Sequence, residues 1–376
     1  MNSWIKNINL EGDRTIWGVV LALSLSSVLV VYSTAGWHFL FSHITKLLLG
    51  LFAIYVVHKI KFKYFSKIGQ IGFLFSLFLL VLVLLIGVSV NGASRWLQIA
   101  NLQFQPSDIA KLAILVYMAR QISMQRDYLH DFKELFWHVL GPLILVCVLI
   151  LPNNFSTAAL VFINGLVLMF VGKIRIKFIA AIIGFAFVGA LTIYATAKFT
   201  PLGTKIMPRS ATWVSRIDSF FVDADGDEQT KDFQQTQALV AIQNGGMTGV
   251  GPGKSTQRNI LPYSSSDFIY AIIIEEYGLF GGVLALLFYL ILMFRAIRIA
   301  LRVESVFGSL LATGLMFSLV FQALINMLVS VEVLPVTGQT LPLISMGGTS
   351  IVFSCIAIGI VLSVSRDATD RKYEKA

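Results

Sequence analysis

The sequence predicts an all-α polytopic membrane protein, and three observations predict it. The chain of 376 residues is 56% hydrophobic and only 13% charged, where a soluble domain carries about 25% charged residues. Its apolar residues gather into ten runs, each near the ~20 residues that cross the hydrocarbon of a bilayer. The basic residues fall in short clusters between alternate runs. Mean hydropathy is +0.79, more apolar surface than a soluble core of this length can bury.

The ten runs are roughly 15–35, 41–58, 68–90, 106–122, 135–152, 155–172, 178–198, 267–294, 306–330 and 346–365. Inside lipid a single segment satisfies its own backbone only as a helix, so each run reads as a helix. With the N-terminus cytoplasmic, the inside segments hold Lys6 and Arg14, then Lys59, Lys61, Lys63 and Lys67, then Arg120, Arg126 and Lys133. They continue with Lys173, Arg175 and Lys177, then Arg295, Arg298 and Arg302, and finally Arg366, Arg371, Lys372 and Lys375. The short outside loops have no Lys or Arg except Arg95. Ten spans with both termini cytoplasmic satisfies this asymmetry, whereas an odd number would put the basic tail outside. The same clustering accounts for the net charge of +9 without a nucleic-acid partner. No cleavable signal is evident, because the first apolar run lacks a small-residue cleavage site after it. Cys147 and Cys355 lie in apolar runs and read as small apolar packing residues. The whole chain, 1–376, reads as a single membrane domain.

One connection stands apart. Residues 199–266 form a large extracytoplasmic loop between spans seven and eight, with an acidic stretch from Asp223 to Glu228 and an amphipathic helix expected from about Lys231 to Asn244. A loop of this length is usually functional.

Four polar stretches carry candidate chemistry. In the first, Gly92-Ala-Ser-Arg95-Trp96 precedes Phe104-Gln-Pro-Ser107-Asp108-Ile-Ala-Lys111. Pro106 suits the first turn of a helix, and Asp108 and Lys111 share one face at i, i+3. Arg95, an outside cation beside a Trp, can hold a phosphate or lipid headgroup, or anchor the chain at the interface. The second stretch, Leu151-Pro-Asn-Asn154-Phe-Ser-Thr157, reads as a tight polar turn. The third runs from Gly249 through Gly253, Lys254 and Arg258 to Asp267, and on to Glu275 and Glu276. Its glycines and cations can wrap an anion, although the spacing is not that of a P-loop. Asp267 sits where the loop enters the eighth span. There partial burial would raise its pKa toward that of a general base, or the helix dipole would simply favour its charge. Glu275 and Glu276 are expected about 12–14 Å further down that helix at 1.5 Å per residue. The fourth stretch, Leu334 to Ser350, contains Thr340, Ser345, Gly347 and Gly348, and its broken backbone must line a cavity or pack inside protein. All four stretches lie at the outer ends of the predicted helices.

Taken together, Arg95-Trp96, Phe104-Gln-Pro-Ser-Asp-Ile-Ala-Lys111, Arg216-Ile, Gln237 to Gly246, Asp267-Phe-Ile-Tyr-Ala with Glu275-Glu276-Tyr-Gly278, and Leu341 to Ser350 resemble the SEDS family of FtsW, RodA and SpoVE. The likeness covers nearly the whole chain. It implies a peptidoglycan glycosyltransferase, inverting, that polymerises lipid II with undecaprenyl pyrophosphate as leaving group. It also implies an inner-membrane location, an active site facing the periplasm, and partnership with a class B penicillin-binding protein transpeptidase and other divisome membrane proteins. The family's essential aspartate falls on Asp267 and its conserved fourth-span lysine on Lys111. Arg95, Asp108, Arg216, Lys254, Arg258, Ser345, Gly347 and Gly348 are the accompanying substrate-binding candidates. A divalent cation, Mg or Mn, is the one cofactor the resemblance admits. Thr340 and the segment Asn259 to Ser266 look more like FtsW than RodA, so septal cell-wall synthesis is the expected duty. A RodA-type elongation polymerase, a lipid II flippase and a non-catalytic scaffold that recruits a transpeptidase to the septum are the alternatives. Four residues depart from the family pattern. Asn154 and Ser156 stand where an acid and a glycine are common, which argues against a catalytic or metal role for that hairpin. Asp108 stands for a common Glu, and Met346 for a Tyr.

Overall fold

The computed structural model describes residues 10–90, 93–99, 102–200, 209–222 and 233–374. The acidic stretch 223–228 lies outside them. Helices dominate: α1 Arg14–Val57, α2 Phe65–Ile86, α3 Pro106–Met124, α4 Phe132–Leu135, α5 Gly141–Ile150, α6 Phe155–Val171 and α7 Ile176–Phe199 come first. They are followed by α8 Ser210–Val222, α9 Phe233–Gly245, α10 Ile269–Arg302, α11 Val306–Ser330 and α12 Ser350–Glu374. A π-helical turn, Phe136–Leu140, joins α4 to α5. Three short strands, β1 Val88–Val90, β2 Ala93–Ile99 and β3 Leu102–Phe104, form an antiparallel sheet in that order, with Val88 opposite Trp96 and Leu97 opposite Phe104.

All ten expected runs fall mainly on helix, and among the described residues seven helical segments are long and apolar enough to cross a membrane. The first of these, α1, is 44 residues long and covers the first two expected runs. It is broken at Gly36, whose φ of 72° belongs to the left-handed region that glycine enters at little steric cost. Its first turn is capped by Asp13, which accepts from the backbone N–H of Thr15 and Ile16 and pairs with Arg295 at the far end of α10. The third run ends earlier than expected, because Val88–Val90 leave the helix to start the sheet. The tenth helix starts at Ser350 rather than near 346. The predicted amphipathic helix is α9, its described part starting at Phe233.

α10 differs most from expectation. It too is broken, at Gly278 with φ 69°. Residues 279–302 alone span roughly 36 Å at 1.5 Å per residue, more than the ~30 Å hydrocarbon core. The preceding short helix, 269–277, is therefore not needed for the crossing and belongs to the outer end. Glu275 and Glu276 thus do not sit deep along a continuous helix. The carbonyls freed by the break accept from the 250–251 backbone: Val250 N–H to Glu275 O at 2.9 Å and Gly251 N–H to Glu276 O at 3.0 Å. The Glu275 carboxylate is fully buried. It accepts from the Ser255 hydroxyl, from the Thr256 N–H and hydroxyl at 3.1 and 2.9 Å, and from the Gln257 N–H.

α11 is the central helix, packed against α10, α3, α12 and α6. α7 is the least enclosed and presents Phe185, Phe187, Val188 and Leu191 outward. One end of the bundle gathers Asp13, Arg295, the Lys59–Ile60 turn and Arg366, which donates to Lys59 O at 3.0 Å. The starts of α3, α6, α10 and α12 share the opposite end.

Candidate functional site

At that opposite end lies a cavity of about 350 Å³. Its wall comes from β2, the starts of α3, α6 and α12, the start of α8, the 263–267 turn before α10, the outer third of α11 and the 336–348 segment.

Each element has a local reason for its place. α3 begins with Pro106 at its first position and Asp108 in its first turn, where the missing N–H of proline costs nothing and the carboxylate meets the positive end of the helix. Asp108 also accepts from Lys111 at 3.4 Å, and from the Thr349 hydroxyl at 3.4 Å. Lys111 donates a second bond, at 2.9 Å, to Gln322 on α11. The Gln322 amide in turn donates to the Thr340 carbonyl at 2.9 Å. One buried relay thus links α3, α11 and the 336–348 segment, and it holds the lysine at the cavity floor.

The opposite wall is cationic. Arg95, on the sheet, donates through Nε to Asn153 O at 2.7 Å, and Arg209 donates to the same carbonyl at 3.2 Å. Asn154 caps α6 by accepting from the Thr157 N–H at 3.1 Å. The hairpin at 152–154 therefore acts as an anchor for two guanidinium groups. Arg216, on α8, donates to Val336 O at 2.9 Å. The Trp213 ring packs against Phe155 with centroids 5.2 Å apart, which seats α8 over α6. Burial, then the neighbouring charges of Arg209 and Arg216, lower the Arg95 pKa to about 10, and it stays cationic at neutral pH.

Asp267 completes the site. A Cβ built on Gly338 would stand 3.6 Å from its Oδ2, so the carboxylate faces the 336–340 backbone. Burial pushes its pKa above the usual carboxylate value, while Ser266 and the charges of Arg216 and Arg95 pull it back. The turn that carries it is knitted to the segment before α12. Met346 N–H donates to Ser265 O at 2.8 Å, and the Ser345 hydroxyl donates to Ser266 O at 2.6 Å while accepting from Leu341 N–H at 2.7 Å. A desolvated carboxylate of raised pKa, ringed by three guanidiniums and an ammonium, can accept a proton from a neutral hydroxyl while cations stabilise a departing polyanion.

Of the sequence candidates, Asp267, Arg95, Asp108, Lys111, Arg216, Gly347 and Gly348 line this cavity. Ser345 is buried behind it, supporting the Asp267 turn through hydrogen bonds. Lys254 and Arg258 do not line it: Lys254 is exposed, and Arg258 reaches away to Ser33, because its turn is tied down by Glu275. Arg209, Gln322, Thr157 and Tyr263 also line the cavity and were not among the expected substrate-binding residues, although Thr157 and Tyr263 lie in stretches the sequence singles out. Arg209 had a signal of its own, as a second outside arginine close in sequence to Arg216. Among the described residues no three or more His, Cys, Asp or Glu side chains come together in a metal-binding cluster. The cavity's two carboxylates face cations, one of them engaged by Lys111, so the described side chains offer no complete protein cage for a divalent cation.

The chain is similar to known proteins over nearly its full length. The model of a cell cycle protein family, FtsW/RodA/SpoVE, matches residues 11–370. A protein of Nitrosococcus halophilus named probable peptidoglycan glycosyltransferase FtsW is 32% identical over 85% of this chain and 80% of its own length. A Methylomonas methanica protein of the same name is 31% identical over 95% and 93%. Among solved structures, a chain of a peptidoglycan synthase complex that coordinates polymerization and crosslinking superposes with TM-score 0.76 at 24% identity, covering 95% of this chain and 98% of that one. Thermus thermophilus RodA superposes with TM-score 0.67 at 24% identity, covering 95% and 97%. The matched family model and the shared length place this chain in the FtsW/RodA/SpoVE family.

Proposed function

We propose that this chain is a peptidoglycan glycosyltransferase that polymerises lipid II at the outer face of the cytoplasmic membrane during septal wall synthesis. The observation that carries the reading is Asp267, a carboxylate of raised pKa inside a cavity walled by Arg95, Arg209 and Arg216. The basic loops at the other end of the bundle support a cytoplasmic placement for that end and a periplasmic one for the cavity. Reading α1 as two crossings joined at Gly36, and counting α3 and α6, supports ten spans.

In the proposed step, Asp267 accepts the proton of the acceptor sugar's 4-hydroxyl as that oxygen attacks the anomeric carbon of the donor. The bond from that carbon to the diphosphate oxygen breaks, and undecaprenyl diphosphate leaves with the electron pair. Attack opposite the leaving group inverts the α-linked donor to a β-linked product. The guanidiniums and Lys111 stabilise the charge that develops on the diphosphate. No step is routed through a divalent cation.

A class B penicillin-binding protein is the proposed partner, supported by the fold likeness to a synthase-complex chain. The names of the FtsW relatives support septal over elongation duty. A flippase would need its charged site near the midplane, whereas this cavity lies at one end. The deciding experiment incubates purified protein with lipid II, with and without the cognate transpeptidase, and resolves glycan products on gels. Glycan ladders that vanish in Asp267→Asn support the reading; their persistence in that variant removes Asp267 as the base. Lipid II transport without any polymer would favour the flippase.

A further inference from the structure

Beside the segment that carries Asp267, the outer end of the bundle has a second concavity, which shares no lining residue with the first cavity. Its upper part is an open cup of about 650 Å³ between the turn at Gly36 and the 252–259 loop, lined by Tyr32, Ser33, Trp37, Gly253, Arg258 and Asn259 among others. Its lower part is an apolar groove of about 180 Å³ between the first half of α1 and α10, with Leu23, Val30, Ile273, Leu284 and Phe288 on its walls. Leu29 and Tyr277 belong to both, so the cup opens into the groove.

Arg258 stands in the cup. Its guanidinium donates through Nη1 to the Ser33 carbonyl at 2.9 Å and to the Ser33 hydroxyl at 3.4 Å, which fixes its direction. Among the described residues no carboxylate pairs with it. The acid on the same side, Glu276, is buried and already accepts from the Ser33 hydroxyl. Tyr32 and Trp37 form an edge-to-face pair at the rim, centroids 6.4 Å apart, with Trp37 77% exposed. Aromatics so placed mark the headgroup level of a bilayer.

A cation that makes no direct carboxylate pair, at headgroup level above an apolar slot, fits an amphiphile with an anionic head. We infer that this is a binding site for one membrane phospholipid with an anionic headgroup, its phosphate on Arg258 and an acyl chain between α1 and α10. A zwitterionic headgroup is disfavoured, since no acid among the described residues lines the cup to meet its ammonium. The Arg258 turn is tied to the Glu275 carboxylate and continues into the Asp267 segment, so the bound lipid buttresses that segment from outside.

The test reads binding without activity, and so stands apart from the proposed reaction. The full chain in detergent is titrated with dioleoyl phosphatidylglycerol or dioleoyl phosphatidylcholine, and bound lipid is counted by native mass spectrometry. We expect a preference for phosphatidylglycerol of roughly tenfold or more, the scale of a charge-assisted hydrogen bond. It should be lost in Arg258→Gln and kept in Arg258→Lys. Ser26→Phe, which pushes a ring into the groove, should lower retention of both lipids. Equal retention by the unsubstituted chain, or a preference unchanged in Arg258→Gln, overturns the inference. So does binding of undecaprenyl phosphate in place of phosphatidylglycerol.

Discussion

Asn326 on α11 donates to the backbone carbonyl of Asp267 at 2.7 Å, and the same amide nitrogen donates to Gln339 O at 2.7 Å. One buried side chain on the central helix therefore sets the separation between the turn that carries the carboxylate and the segment that faces it. Asn326→Leu would leave two carbonyls without this donor, at a cost of about 1–3 kcal/mol each if they stay buried. We expect a lower melting temperature in detergent. Glycan synthesis should fall more steeply than the folded fraction, measured on the same preparations.

Asp267→Asn removes the base while keeping shape and hydrogen-bonding capacity. Polymerisation should drop about 10²–10⁴-fold, the usual worth of a positioned base. The variant should elute and melt like the parent, and loss of the folded peak would show a structural role instead.

The pH dependence follows from the sign of the Asp267 shift. The carboxylate works only when deprotonated, so the rate rises with pH, with a midpoint above the ordinary aspartate value because burial raises the pKa. Arg216 lowers that pKa; Arg216→Gln should therefore move the midpoint to higher pH as well as lower the plateau. A midpoint that moves down on this substitution would contradict the assigned electrostatics.

Glu275→Gln tests the clasp on the 255–257 turn. The amide is a weaker acceptor than the carboxylate and cannot receive all four donors equally well, and bonds to charged groups are worth about 1.5–3 kcal/mol each. Hydrogen exchange should quicken in residues 250–260 and stay unchanged in α3. Uniform quickening would mean the clasp holds the whole fold.

Gly278→Ala should be the most disruptive of these changes. A Cβ there would meet Met247 O at 2.2 Å, on a backbone whose φ already disfavours it. Failure to accumulate folded protein in membranes is the expected outcome, read by fluorescence-detected chromatography.

The helices were legible because apolar runs and basic loops are imposed by the bilayer itself, one residue at a time. The sheet was not. Val88–Val90 are as apolar as the helix before them, and only their pairing with β2, with Val88 opposite Trp96 and Val90 opposite Ala93, separates them from it. The break at Gly278 was hidden inside a continuous apolar run. What requires it is the 246–251 backbone, distant in sequence, with Leu279 N–H donating to Gly246 O at 2.9 Å. At the site, Asp267, Lys111 and Arg95 stood out as charges at outer helix ends. Gln322 and Asn326 did not, since a polar residue within a span reveals its partner only when the helices are packed. Lys254 and Arg258 looked equivalent to Arg216 by charge, and the Glu275 clasp turns them elsewhere.

The interruption of α10 at Gly278 also separates two mechanical tasks. Residues 279–302 must adapt their tilt to the thickness of the surrounding lipid. The short helix 269–277 is pinned instead to the 246–251 loop and to α9, so it need not follow that tilt. The carboxylate rides on a bracket fixed to protein rather than on a pole standing in the bilayer. Turnover measured in bilayers of different acyl length should consequently vary little, although the inclination of residues 279–302 changes.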